Sequence, residues 1–410
     1  MTGLTGPQYY LYKAQEAGFG RACVLGGSLI VKGTCDIEKL QHAANEVLRI
    51  NDVLRTRVVT DENGQPAQFI AGFEPREFKV VKFRDLRELD KKGGKWAQKP
   101  FRMGEDQELV EMQIVQMPDA YGALVRIHHI ISDGWTCMLL ADQFLSIVNG
   151  GHPEAFRYEE FTESEKRFRE SKRFARGREF FEEQKKRLPE KTYLSPGRPL
   201  RPAKHWATAE MSEGLSDEIK AYAALHNVSV YSLFVTAVAA WMSRKLGRDD
   251  FFVGSVVMNR AGIREKNTAG LFATTIPLLL ECDKDASFAE NIGRMGEKLV
   301  GGYRYHKSAA GVYPFGEAPY DLWLSYQTAK ISSDPSARAM WYPCAEVGNV
   351  MTLSITDTGS ERLTLQLEHN VKYPDKAAAE MIRQIPDILA EGIRNDSCSF
   401  EDIIIRAMGE

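Results

Sequence analysis

The chain has 410 residues, of which 43% are hydrophobic and 27% are charged, so it is long enough to bury the cores of two medium-sized domains. Its net charge of −3 at pH 7 and its pI near 6.3 show no excess of positive charge of the kind that binds nucleic acid. The overall charge gives no support for binding to a membrane surface either. The composition therefore predicts a globular protein with neither a nucleic acid nor a membrane partner.

No segment of the sequence predicts membrane insertion or secretion. The longest apolar run, residues 233–242, is too short to span a bilayer and is followed by Arg244, so it predicts a buried helix. The N-terminus lacks the charged and apolar regions of a secretory signal. The six cysteines stand singly, which is typical of a reducing compartment, and we expect a cytoplasmic protein without a disulfide framework. They are Cys23, Cys35, Cys137, Cys282, Cys344 and Cys398.

The first part of the chain is rich in predicted strands. Residues 25–31 form a strand-like run. Residues 109–115 and 123–130 alternate and are rich in β-forming residues, and turn residues such as Pro118 and Asp119 lie between them. These features predict a β-hairpin whose second strand ends in His128 and His129.

A helix is predicted directly after the histidines. Its apolar positions lie within residues 136–144, Ser132 or Asp133 would cap its N-terminus, and Asn149-Gly150-Gly151 would end it. Gly134 is either a turn residue or a position where a substrate or an oxyanion could approach a backbone N–H. Residues 156–191 are strongly charged and predicted to be helical, with a solvated face or, alternatively, a face that docks a carrier protein. The Pro- and Gly-rich residues 195–202 form a connector.

The paired histidines predict that only one of the two imidazoles takes part in the chemistry. Successive side chains of a strand point to opposite faces, so His129 would share a face with Ile127, while His128 would face the other way with Arg126. This arrangement argues against a two-histidine metal site, as does the lack of His-Glu-x-x-His or Cys-x-x-Cys spacing. We therefore predict no metal. An imidazole group suits proton transfer near neutral pH.

At this point the residues resemble a known family. HHIISDG, residues 128–134, is similar to the HHxxxDG signature of the condensation domains of nonribosomal peptide synthetases, which belong to the chloramphenicol-acetyltransferase-like superfamily. Other segments along the chain resemble the same family: LTGPQ (4–8), DVLRTRV (52–58), residues 226–254 with Asn259-Arg260 after them, GLFATTIPL (270–278) and SYQ (325–327). Asn51 stands where the family usually has His, and Thr274 replaces the usual Asn. Cyclisation domains replace both histidines with aspartates, so simple condensation is the favoured subtype.

The resemblance implies a fold and a domain organisation. The expected fold is α/β (α+β), with two chloramphenicol-acetyltransferase-like lobes that form a V-shaped pseudo-dimer around a central tunnel. We place the N-terminal lobe, which carries the signature, at residues 1–175 and the C-terminal lobe, which completes the tunnel, at residues 176–410. Two phosphopantetheine arms on carrier proteins would enter the tunnel from opposite faces.

The resemblance also implies a reaction. An acyl or peptidyl group would pass from a carrier-protein thioester to the amine of an aminoacyl substrate, forming an amide. No activated Ser or Cys accompanies the histidines, so we expect direct transfer without a covalent enzyme intermediate. The predicted catalytic group is His129, His128, Asp133 and Gly134. His129 would orient or deprotonate the acceptor amine, whereas His128 and Asp133 would be structural.

Further residues and partners follow from the same resemblance. In the family the matching Asp pairs with the Arg of the LRT segment, which predicts a salt bridge between Arg55 and Asp133 that shapes the loop. Trp135, Ser325 and Gln327 are predicted to contact substrate. We expect no cofactor of the protein's own, substrates carried on phosphopantetheine or coenzyme A, and donor and acceptor carrier proteins as partners.

Two other functions remain open. One is a coenzyme A-dependent acyltransferase that acts on a small alcohol or amine, because the short HxxxD core is shared across the superfamily. The other is a non-catalytic domain that only docks carrier proteins. Dependence of turnover on a carrier protein would separate the first alternative from condensation, and the intact His129, Asp133 and Gly134 argue against the second.

Overall fold

The structure, a computed structural model, describes residues 1–188, 190–195, 204–328, 336–342, 351–357 and 362–409. These residues form two units. Unit 1 contains Met1–Ser171, Met258–Ala273 and the described residues 336–342, and unit 2 contains the remaining described residues. The predicted division after residue 175 assumes two continuous halves and stays a prediction. Cys344 and most of the predicted connector, residues 196–202, lie outside the described residues.

Unit 1 is built around a five-stranded sheet. Its strand order is Ala337–Tyr342, Val24–Lys32, Ala120–His128, Val110–Gln116 and Val80–Lys82, and all neighbours are antiparallel except the last pair. A smaller sheet orders Thr2–Gly3, Pro66–Ile70 and Thr56–Thr60. In the large sheet Val24 pairs with His128, so the histidine-bearing strand ends where its neighbour begins.

Ile37–Ile50 and Leu86–Ala97 pack on this sheet. Ile37–Ile50 buries Leu40, Ala43, Ala44, Val47 and Leu48, the i, i+3, i+4, i+7, i+8 spacing of a helix that packs on a core. The other α-helices are Gly6–Glu16, Leu86–Ala97, Gly134–Val148, Tyr158–Arg169 and the short Ile263–Lys266, and the 3-10 turns are Asp52–Arg55 and His129–Ile131.

Unit 2 contains a six-stranded mixed sheet. Its order is Thr274–Glu281, Asp250–Val257, Leu322–Gln327, Met351–Thr356, Thr364–Asn370 and Lys204–Glu210, with Leu322–Gln327 parallel to both neighbours. The helices are Lys172–Arg187, Glu213–Leu225, Val230–Leu246, Phe288–Arg304, Asp375–Arg394 and Phe400–Met408, and a 3-10 turn spans His306–Ser308.

The apolar run at residues 233–242 lies inside Val230–Leu246, which is buried at every position from Tyr231 to Ser243. The prediction of a buried helix is therefore confirmed. In the described part of the chain no single helix is long and apolar enough to cross a membrane, and only the bent pair of Glu213–Leu225 and Val230–Leu246 meets the length and composition criteria together.

Most local predictions for the first part of the chain are confirmed. The strand at residues 25–31 and the hairpin at residues 109–130 are present, and the charged stretch forms Tyr158–Arg169 and Lys172–Arg187. One detail is wrong, because the second hairpin strand ends at His128 and does not include His129. The five described cysteines are free thiols.

Candidate active site

His129 begins a 3-10 turn and not the end of a strand. The turn His129–Ile131 follows directly on Ala120–His128, and the His129 N–H still donates to Cys23 O at 2.7 Å. Strand alternation stops at His128, so it does not set the direction of the His129 side chain as the sequence suggested. The hydrogen bonds of the turn set that direction, and His129 is half-buried.

The imidazole of His129 is held in one tautomer by the backbone. Its Nδ1 lies 2.7 Å from Ser132 O. A carbonyl oxygen can only accept, so Nδ1 carries the hydrogen and donates it. In the neutral ring Nε2 is then the nitrogen with the lone pair, and it is the atom able to accept a proton from a substrate.

His128 is a buried structural residue. Its Nε2 lies 2.6 Å from Gln15 Oε1 and donates to it, and its Nδ1 accepts the Ile130 N–H at 2.9 Å. Burial, and to a smaller extent the neighbouring His129, lowers the pKa of His128 to about 3. His128 is therefore neutral at physiological pH, and both of its nitrogens are already used.

Asp133 caps the helix that follows the histidines. The Asp133 carboxylate accepts the Thr136 N–H at 2.8 Å, and the helix Gly134–Val148 ends before Asn149 and Gly150, where φ is +83°. The predicted cap and the predicted end of this helix are both confirmed. The cap places Asp133 at the positive end of the helix dipole, which favours its negative charge.

Asp133 also holds a distant segment of the chain. Arg260 Nη2 lies 3.1 and 3.2 Å from the two Asp133 oxygens, and the Asp133 side chain accepts the N–H groups of Phe272 at 3.0 Å and Ala273 at 3.2 Å. The side chains of Arg260 and Asp133 are 0% and 3% exposed. This buried ion pair fastens Met258–Ala273 to the start of the helix.

Arg260 is shared among several partners around the same helix end. It donates to Thr136 Oγ1 at 2.9 Å and to Gly270 O at 3.0 Å, and its Cζ lies 3.9 Å from the centre of the Phe272 ring. Burial lowers the pKa of the Arg260 guanidinium, and the Asp133 charge raises it. Thr136 Oγ1 in turn accepts the Gly270 N–H at 2.9 Å. The buried cation is therefore matched by one carboxylate and several oxygen acceptors.

The predicted salt bridge between Arg55 and Asp133 is wrong. Arg55 lies at the end of the 3-10 turn Asp52–Arg55, and its guanidinium donates to Leu48 O at 2.5 Å, Arg49 O at 3.0 Å and Ala71 O at 3.1 Å. The orphan carbonyls at the C-terminus of Ile37–Ile50 attract this cation, so it is not available to Asp133. Arg55 supports the loop that follows that helix.

The residues next to Asp133 differ in exposure. Gly134 is exposed, and a Cβ added to it would have no heavy atom within 4 Å. Trp135 is half-buried, and its Nε1–H donates to Lys266 O at 2.8 Å. The indole is therefore anchored to the segment that carries Arg260, while space is open at Gly134.

The structure brings His128, His129, Asp133, Gly134 and Trp135 together in unit 1. Ser325 and Gln327 belong to unit 2, on the strand Leu322–Gln327. They are two residues apart on one strand and share a face, and Gln327 Nε2 donates to Ser325 Oγ at 3.5 Å. Their predicted role stays a prediction.

Sequence reasoning missed Arg260 as the partner of Asp133. The pair is separated by 127 residues, and the only signal was the presence of Asn259-Arg260 among the segments that resemble the family. Among the described residues, no group of three His, Cys, Asp or Glu side chains is placed to hold a metal ion. The chemistry that the site itself offers is a proton-accepting imidazole beside the N-terminus of a helix.

Comparisons with known proteins identify the family. The family model for the Condensation domain matches residues 3–324. Surfactin synthase subunit 1 of Bacillus subtilis (strain 168) is 26% identical over 312 residues, which cover 72% of this chain and 8% of that protein. Bacitracin synthase 1 of Bacillus licheniformis is 22% identical over 307 residues, which cover 71% of this chain and 6% of that protein. The chain thus spans less than a tenth of the length of these two relatives.

Solved structures show the same fold. The condensation domain of the monacolin K polyketide synthase MokA is 16% identical, with a TM-score of 0.86 and coverage of 97% of this chain and 98% of that one. A variant of the starter condensation domain of rhizomide synthetase RzmA, in complex with C8-CoA and Leu-SNAC, is 15% identical, with a TM-score of 0.83 and coverage of 98% and 96%. The predicted mixed α/β fold of this family is confirmed. The chain belongs to the condensation domain family, whose members are acyltransferases that form amide bonds in nonribosomal peptide synthesis.

Proposed function

We propose that this chain transfers an acyl or peptidyl group from a thioester to an amine and that His129 is its catalytic residue. The observation that carries the proposal is the tautomer of His129. Its Nδ1–H is bound by Ser132 O, which leaves Nε2 as the proton acceptor on a half-buried ring. His128 is fully engaged within the fold and would take no part in proton transfer.

The step conserves atoms and protons without a covalent enzyme intermediate. The amine nitrogen attacks the thioester carbonyl carbon, the C–N bond forms, and the C–S bond breaks. His129 Nε2 receives the proton that leaves the nitrogen, and this proton ends on the sulfur of the departing thiol. Much of the acceleration would come from holding the amine and the thioester together.

Asp133 and Gly134 would act through the geometry of the helix start. The Asp133 carboxylate is occupied by Arg260 and by three backbone N–H groups, so it is a positioning residue. The open space at Gly134 would let a substrate approach the N-terminus of Gly134–Val148, where a developing negative charge is stabilised. Trp135, Ser325 and Gln327 are our candidates for substrate contacts.

Both substrates would be carried on phosphopantetheine arms of donor and acceptor carrier proteins. Relatives that are long synthetases support this proposal, since this chain matches only a small part of each. The binding of C8-CoA to the rhizomide synthetase domain supports coenzyme A as a second possible donor, because coenzyme A ends in the same arm. We propose that the reaction takes place in the cytoplasm.

Amide formation can be tested with panels of acyl and aminoacyl groups loaded on carrier proteins, and products can be read by mass spectrometry. We expect His129→Ala to lower kcat/KM about 10²- to 10⁴-fold, the usual contribution of a general base. His152→Ala removes an exposed imidazole of the same unit and is expected to match the wild type. An unchanged rate in His129→Ala would overturn the catalytic assignment. Equal rates with coenzyme A thioesters would favour the coenzyme A donor.

A further inference from the structure

The first helix of unit 1 carries two glutamines on the side that meets the His129 turn. Gln8 and Gln15 both belong to Gly6–Glu16 and are seven residues apart. Seven residues make about two turns of an α-helix, so the two side chains lie on one face. Each of them bonds a different residue beside His129.

Gln8 is fully buried, and every hydrogen-bonding position of its amide is used. Its Nε2 donates to Ile130 O at 3.1 Å and to Gln68 Oε1 at 2.9 Å. Its Oε1 accepts the Thr5 N–H at 2.9 Å and Gln68 Nε2 at 2.9 Å. A single side chain therefore joins the helix N-terminus to the carbonyl of the residue after His129.

Gln15 bonds the residue before His129. Its Oε1 accepts the His128 Nε2–H at 2.6 Å, and its Nε2 donates to Phe101 O at 3.3 Å. The Phe101 carbonyl can only accept, which fixes which end of the amide faces His128. With its Nε2 hydrogen given to Gln15, neutral His128 must accept at Nδ1, and it accepts the Ile130 N–H at 2.9 Å.

We propose that Gln8 and Gln15 are positioning residues for His129. Together they fix both polar groups of Ile130: Gln8 holds its carbonyl directly, and Gln15 holds its N–H through His128. Ile130 is the middle residue of the turn His129–Ile131, so this glutamine clamp keeps the turn in the geometry in which Nδ1 of His129 meets Ser132 O. The catalytic consequence rests on the proposed function, whereas the structural consequence does not.

A loosened turn should affect the chemical step more than substrate binding. If the turn relaxes, His129 loses its bond to Ser132 and populates the other tautomer or moves away from the amine. Misplacement of a catalytic group by ~1 Å can lower a rate by about 10²-fold. Neither glutamine is proposed to contact substrate, so KM should stay close to the wild-type value.

The test compares Gln8→Met, Gln15→Met and the double variant with Gln41→Met. Gln41 is a matched control, because its amide also bonds backbone, at Phe78 O (2.7 Å) and Phe78 N (2.8 Å), on another helix of the same unit. We expect kcat to fall about 10-fold in each single variant and further in the double variant, by less than the product of the two single effects because both glutamines hold Ile130, with KM within about 2-fold. Gln41→Met should keep the wild-type kcat.

A second readout separates this inference from the proposed function. Hydrogen exchange at the Ile130 amide should be faster in the clamp variants than in the wild type and in Gln41→Met. If Gln8→Met does not fold, Gln15→Met alone tests the clamp, because it removes the acceptor of the His128 Nε2–H, and the Ile130 N–H is held through the same His128 ring. Wild-type exchange at Ile130 in the folded clamp variants would overturn the clamp whatever the activity. Faster exchange with unchanged kcat would overturn its catalytic role.

Discussion

Replacement of Arg260 by Leu should destabilise unit 1 by leaving a buried carboxylate without its cation. Asp133 and Arg260 have side chains that are 3% and 0% exposed, so water cannot take the place of the guanidinium. Breaking a buried ion pair by removing one partner costs about 3–5 kcal/mol. Asp133 keeps three backbone N–H donors, from Thr136, Phe272 and Ala273, and we therefore expect about 3 kcal/mol, near the lower end.

The measurement is urea unfolding followed by the fluorescence of Trp135, with the other tryptophans replaced by Phe. A loss of about 3 kcal/mol should lower the urea midpoint by roughly 1–1.5 M for an m-value of about 2–3 kcal/mol/M. Arg264→Leu is the matched control, because Arg264 lies on the same segment but pairs with Glu160 at an exposed site, where the side chains are 64% and 57% exposed. A surface pair contributes about 0–1 kcal/mol.

The pairing itself is tested by a double-mutant cycle. Asp133→Asn removes the buried charge, so Arg260→Leu should cost less in that background than in the wild type. Equal losses for Arg260→Leu and Arg264→Leu, or strictly additive losses in the cycle, would refute the assignment of Arg260 as the partner of Asp133.

Two further predictions concern pH and glycine. The pKa of His128 is lowered from 6.5 to about 3. Below pH 6.5 the unfolded chain therefore binds a proton at His128 that the folded chain does not bind. The free energy of unfolding then decreases as pH falls, by about 1.4 kcal/mol per pH unit. His128→Gln should show a shallower loss between pH 6 and pH 4 in urea titrations, and an equal slope would contradict the burial of a neutral imidazole. Gly270 has φ +152°, and a Cβ there would lie 2.1 Å from the Tyr158 ring. Gly270→Ala should therefore lower the melting temperature strongly, whereas Gly134→Ala, whose Cβ meets no atom within 4 Å, should not.

The local features of the site were readable from the sequence because they depend on neighbours in the chain. An Asp before an apolar periodic run predicts a cap, and Asn-Gly-Gly predicts the end of a helix, and both were found around Gly134–Val148. The hairpin was readable from alternation. The last residue of its second strand could not be predicted in the same way. Ile and His continue the alternating pattern of the strand, and a turn of only three residues, His129–Ile131, is too short to show a periodicity of its own.

The long-range partners of the site residues could not be predicted from the sequence, for a different reason. Arg55 and Arg260 are both cations that Asp133 could have attracted, and only the fold decides between them. Arg55 is captured by carbonyls at a nearby helix end, and Arg260 reaches Asp133 from 127 residues away. Gln8 and Gln15 show the same limit, since a glutamine in a helix gives no sign of which backbone group it will meet.

The segment Met258–Ala273 limits where this protein can be cut or recombined. It leaves and re-enters unit 2 between Val257 and Thr274, which pair in adjacent strands, yet its Arg260 neutralises the carboxylate of Asp133. A fragment that ends at Ser171 would keep Asp133 and lose that cation. It would also lose Ala337–Tyr342, the strand that pairs with Val24–Lys32. The exposed edge of Val24–Lys32 could then pair with another chain and promote aggregation. A chimera of two condensation domains must therefore transfer three separate pieces of sequence to move unit 1 intact.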